Sequence, residues 1–79
     1  MAESRKLPRH RVLKAGTIGF GGGAIDCVVR NLSPKGAALK VSNQAGIPER
    51  FILIVPADGL HLPCHIIWRR ERRIGIAFD

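Results

Sequence analysis

The chain has little from which to build an enzyme. Its 79 residues include six acidic side chains, three histidines and two cysteines, and no pair of carboxylates shares a polar loop in a way suited to acid–base work. No serine or cysteine stands with a plausible base and orienting group, and no G-x-x-x-x-G-K-[ST] run is present. Residues 19–23 are glycine-rich, but no helix follows them to complete a phosphate cradle. Metal binding is also poorly supplied. On a strand, His61 and His65 would lie about 13 Å apart on one face while Cys64 points to the other, and there is no second cysteine to make a haem-attaching C-x-x-C-H. Long apolar runs are missing too. Nothing approaches the roughly 18 residues of a membrane helix, and the basic, polar N-terminus is followed by no apolar segment of a secretory signal. These absences predict a non-catalytic protein without a membrane span, resident in the cytoplasm, with Cys27 and Cys64 as buried reduced thiols.

What is present is positive charge and β pattern. Thirteen Lys and Arg give a net charge of +7, which predicts an anionic partner without saying which. Nine of the thirteen fall in two segments: Arg5, Lys6, Arg9, Arg11 and Lys14, then Arg69, Arg70, Arg72 and Arg73. With 46% hydrophobic and 24% charged residues the composition is that of a folded domain, one short enough to bury only about 60% of its unfolded surface.

Residues 1–11 have no periodicity and contain Pro8, which predicts a flexible basic arm ahead of a barrel domain spanning 12–79. A weakly patterned strand over 12–20 leads to the turn at Gly21-Gly22-Gly23. Ile25, Cys27 and Val29 then alternate with Asp26, Val28 and Arg30, as do Ala37, Leu39 and Val41 with Ala38, Lys40 and Ser42, and Ser33-Pro34-Lys35-Gly36 between them suits a type I turn with Gly36 left-handed. Residues 43–49 form a connection with room for one helical turn. Residues 51–55 are continuously apolar, as in a strand buried on both faces. After a turn at 56–59, Leu62, Cys64, Ile66 and Trp68 share one face of a strand, and a last strand runs through Ile74, Ile76 and Phe78. Six short strands without a long helix predict a small antiparallel β-barrel, all-β, closed or nearly closed, which hides the edges an open sheet would expose.

Two groups of residues are candidates for binding. Arg5 and Arg9, four apart on the arm, offer two guanidinium forks able to pair with phosphate oxygens or with the O6 and N7 edge of guanine. Asn31 and Ser33 would continue the row of Ile25, Cys27 and Val29 to the end of the sheet, beside backbone N–H groups freed by the turn, and could hold a small polar ligand there. Each feature also has a plain structural explanation. Basic tails are often only solvated, turn residues such as Asn31 and Ser33 often bond nearby backbone, and Arg69 and Arg73 read as solvated charges blunting a strand end.

Arg5-x-x-x-Arg9 followed by Asn31-x-Ser33-x-x-Gly36 resembles the two-part signature of PilZ domains, and Cys64-x-x-x-Trp68 and the Gly75-Ile76-Ala77-Phe78 ending extend the resemblance over nearly the whole chain. It implies a receptor for cyclic di-GMP needing no cofactor. Arg5 and Arg9 would grip guanine and phosphate, while Asn31, Ser33 and a close backbone approach at Gly36 would hold the other side of a guanine. Asn31 stands where many members have Asp, and the chain reaches Asp79 without the C-terminal helix that often packs on this barrel. That helix's place could be an apolar patch covered by a partner or a second copy, so a monomer or weak homodimer is expected, with a downstream protein partner. Two other readings compete. One is a small basic barrel binding single-stranded nucleic acid, handicapped by having only Phe20, Phe51, Trp68 and Phe78 as aromatics. The other is an interaction module that has lost ligand binding.

Overall fold

Alternation of side chains and frequent tight turns produce six antiparallel strands. The computed structural model describes residues 10–79, with β1 (His10–Phe20), β2 (Gly23–Leu32), β3 (Gly36–Lys40), β4 (Arg50–Val55), β5 (Leu60–Arg70) and β6 (Arg73–Phe78). Their order around the sheet is β1-β2-β3-β6-β5-β4, and β1 pairs with β4 to close a barrel. This is the expected small antiparallel barrel, closed where Thr17, Ile18 and Gly19 meet Ile54, Leu53 and Ile52. Arg5, Arg9 and most of the expected arm lie outside the described residues. The first strand begins at His10, earlier than position 12, because His10 and Arg11 pair with Leu32 and Asn31.

The interior is aliphatic. Ile18, Val29, Leu39, Leu53, Val55 and Ile74 have no exposed surface, and no polar or charged residue is buried among the described residues. Cys27 and Cys64 are buried free thiols in the same core. Burial lifts both to a pKa of about 11, with nearby Asp26 adding to the rise at Cys27. β4 corrects the expectation of a strand buried on both faces. Phe51, Leu53 and Val55 point inward while Ile52 is 43% exposed, since a barrel wall has an inside but no second layer packed on its outside.

β3 and β4 are not neighbours, so residues 41–49 must cross one end of the barrel. Val41 and Ile47 turn inward from this segment and plug that end. The segment forms no helical turn. Gly46 takes φ 85°, Pro48 follows, and the crossover is instead stitched to the β5–β6 hairpin. Val41 N–H donates to the Arg72 carbonyl at 2.8 Å, and the Gln44 amide caps the carbonyls of Arg70, Glu71 and Arg73. Arg69, expected to be a solvated charge, completes the stitching by donating to the Ile47 carbonyl at 3.1 Å and the Glu49 carboxylate at 3.2 Å. Among the described residues the one short helical element is a 3-10 turn, Pro56–Asp58, ended by Gly59 at φ 65°.

Candidate functional site

Three register shifts interrupt the strand pairing, one between Arg11 and Lys14 on β1 and two that shape the outer wall beside it. On β2, Val29 pairs with Leu39 but Asn31, not Arg30, pairs with Ala38. The extra residue reverses the alternation. Leu32 and its partner Ala37 therefore face the core, and Asn31 with Ala38 faces out. This corrects the expectation that Asn31 and Ser33 extend the row of Ile25, Cys27 and Val29. On β5, Ile66 pairs with Ile76 and Trp68 with Gly75, leaving Ile67 extra. Trp68 consequently leaves the row of Cys64 and Ile66 and is 40% exposed, against the expectation that it belongs to the core. Regular period-two reading cannot see this. The available signal was the run Ile66-Ile67-Trp68, since three successive apolar residues cannot all point inward.

The pairings Asn31–Ala38, Ala38–Gly75 and Gly75–Trp68 make one continuous outward row across four strands. Its two middle members are small and its two ends are not, so the row is a trough. A groove of about 390 Å³ lies over it, lined by Asn31, Ser33, Lys35, Gly36, Ile67 and Trp68 among others. The indole lies against Gly75, so that a Cβ there would overlap it, and the Arg70 guanidinium sits 5.7 Å from the ring centroid. A flat ring could enter between the amide of Asn31 and the indole. Such a group would find an apolar floor, a neutral hydrogen-bonding wall and an aromatic wall.

The loop after β2 is rigidly tied. Ser33 N–H donates to the Gly36 carbonyl at 2.9 Å, and the Lys35 and Gly36 N–H groups both donate to the Ser33 hydroxyl at 3.3 Å. Phe78 N–H donates to the Lys35 carbonyl at 2.8 Å. The turn thus consumes the N–H groups expected to be free, and Ser33 is the residue that consumes them. Gly36 does not adopt a positive φ; among the described residues only Gly23, Gly46 and Gly59 do. Glycine is required at 36 for a different reason, since a Cβ would run into the Ile76 carbonyl oxygen across the β3–β6 pair. Asn31 differs from its neighbours. Among the described residues its side chain makes no hydrogen bond, so the amide is available to a ligand.

The groove also adjoins the start of the described chain. Arg11 pairs with Asn31 and His10 with Leu32. The structure therefore brings Asn31, Ser33 and Gly36 together beside the first of the described residues. Among the described residues no three His, Cys, Asp or Glu side chains gather as metal ligands.

A family model described as the PilZ domain matches residues 3–79. No curated protein matches the chain.

Proposed function

The chain belongs to the PilZ domain family, a family of cyclic di-GMP receptors, and from that premise we propose that it binds cyclic di-GMP between the arm carrying Arg5 and Arg9 and the groove at Asn31. The observation that carries this reading is the pairing of Arg11 with Asn31, which brings the start of the described chain to a groove residue whose amide makes no hydrogen bond among the described residues. Arg5 and Arg9 pair with phosphate oxygens or with the guanine O6 and N7 edge. The Asn31 amide takes a base edge, supplying an acceptor for guanine N–H groups without a carboxylate's charge. Ser33 contributes by holding the loop in shape, Gly36 by letting β3 and β6 close beneath it, and Trp68 by offering an aromatic wall for stacking. The ligand is a dianion, suited to a chain of net charge +7. Binding fixes the arm on the barrel, and the altered surface is what a downstream protein partner reads.

Calorimetric titration with cyclic di-GMP tests the reading. Arg5→Ala, Arg9→Ala and Asn31→Ala each weaken binding by about 1 to 3 kcal/mol, roughly 5- to 150-fold, and leave the melting temperature of the free protein nearly unchanged. Absence of binding by the unmodified chain removes the proposal. Losses of several degrees in the arginine variants would make those residues structural.

A further inference from the structure

Charge is distributed unevenly over the barrel. Lys14 is held by Asp58 at 2.5 Å, Arg50 by Asp79 at 3.5 Å and Arg69 by Glu49 at 3.2 Å, so the side formed around β1 and β4 is largely neutralised. Among the described residues no carboxylate pairs with Lys35, Lys40, Arg70, Arg72 or Arg73. Three of these form a row. Lys40 pairs with Arg73 and Arg73 with Arg70, placing three exposed cations side by side on adjacent strands about 4.8 Å apart. Like charges directly opposite one another destabilise a sheet, so the row is a cost to the fold that an anion would offset. It lies two residues along the strands from the trough row, a step of about 7 Å, and Lys35 stands beyond the trough's other end.

We propose that the outer face of β2, β3, β6 and β5 binds single-stranded nucleic acid, with Lys40, Arg73 and Arg70 meeting phosphates and Trp68 stacking a base. A strand alternates charge with planar rings, and this face alternates a cationic row, a small-residue trough with an aromatic wall, and a further cation. Both halves of a single-strand site, electrostatic track and stacking platform, are therefore present. Arg70 now covers the indole, and it moves to a phosphate as a base takes that face. An acidic peptide fits less well because it brings no planar ring to meet the aromatic wall. A lipid surface is flat where this face is grooved.

The test is binding of a fluorescent oligouridylate of about ten nucleotides, measured from about 50 to 300 mM salt. Log K falls with log salt at a slope near −2 for three phosphates contacted, and Lys40→Ala with Arg73→Ala reduces the slope to about −0.7 and weakens binding at the low-salt end at least tenfold. Asn31→Ala, which weakens cyclic di-GMP binding, leaves this slope unchanged, so the two ligands are told apart although both use the wall at Trp68. The paired variant melts no lower than the parent because it removes a like-charge contact; Lys40→Gln with Arg73→Gln, which keeps polar side chains without the charge, gives the same slope. Equal binding by parent and paired variants overturns the proposal, as does no saturable binding at 50 mM salt. Tighter binding of polyglutamate or of vesicles rich in phosphatidylserine would assign the row to an acidic protein or a membrane instead.

Discussion

The indole of Trp68 lies on Gly75, filling the space that any other residue at 75 would need for its Cβ. Glycine there lets a large aromatic lie flat on the outside of the barrel, and the bulge at Ile67 is what brings the aromatic out. Gly75→Ala should displace the ring and disrupt the trough it walls. The expected cost is about 1 to 3 kcal/mol of stability, as for other overpacked sites, with a change in tryptophan emission because Trp68 is the sole tryptophan. Thermal melting and emission spectra of the free variant check both parts; an unchanged spectrum would show that the ring does not depend on Gly75.

Gly36→Ala should fail differently. Its Cβ meets backbone, the Ile76 carbonyl oxygen, which cannot rotate away, so β3 and β6 must part. Stability should fall by about 1 to 3 kcal/mol with no ligand present, while Asn31→Ala leaves it almost untouched. Denaturant titration of the two unliganded variants distinguishes them. A Gly36→Ala protein as stable as its parent would return this glycine to a purely ligand-facing role.

How much of this could be read from sequence follows from where local pattern governs the chain. Alternation at Cys27 and Val29 and at Ile74 and Ile76 identified core rows correctly, because each row needs only the period of two, whereas the continuous apolar run at 51–55 hid that only Phe51, Leu53 and Val55 face inward. The pattern misled wherever a bulge changed the phase. Asn31 and Trp68 were each placed on the inner face, and both stand outside for the same reason. Bulges depend on what the neighbouring strand presents, which no window of one strand contains. Arg69 was misread for a related cause, since its partners Ile47 and Glu49 come from a crossover distant in sequence. The site motif itself was legible, but the division of labour within it was not: Ser33 holds the loop, Gly36 spaces the wall and Asn31 faces the groove.

Burial of the two cysteines gives a pH prediction. Both thiols are lifted from the ordinary value of about 9 to about 11, so the folded state holds these protons more tightly than the unfolded chain. That contribution to stability is intact below pH 9 and is lost as pH rises through 11. Chemical denaturation from pH 8 to 11 should therefore show a decline that Cys27→Ala with Cys64→Ala reduces, once each curve is referred to its own value at pH 8. Alkylation by iodoacetamide at pH 8 should be slow in the native protein and fast in denaturant. Rapid native alkylation would mean that the core opens locally.

Trp68 supplies the last prediction, because the chain has one tryptophan and no tyrosine and so its near-ultraviolet emission reports on the groove alone. A guanine stacking on the indole should quench that emission in a saturable way and with the stoichiometry found by calorimetry. Base identity adds discrimination. Where Arg5 or Arg9 reads O6 and N7, adenine presents an exocyclic amine in place of O6, so a donor meets a donor. Cyclic di-AMP should bind at least about tenfold more weakly, a gap of about 1.4 kcal/mol, and the gap should narrow when the arginine responsible is changed to alanine, since the donor that rejected adenine has gone. Asn31→Ala should narrow the gap as well, because the acceptor it offers meets the N1–H and N2–H of guanine, which adenine lacks. Quenching by the two cyclic dinucleotides, followed across the parent and the three single variants, measures all of this in one series. Equal affinity for both in the parent would show that the arginines hold phosphate and not a guanine edge, and an emission that never responds would place the ligand away from Trp68.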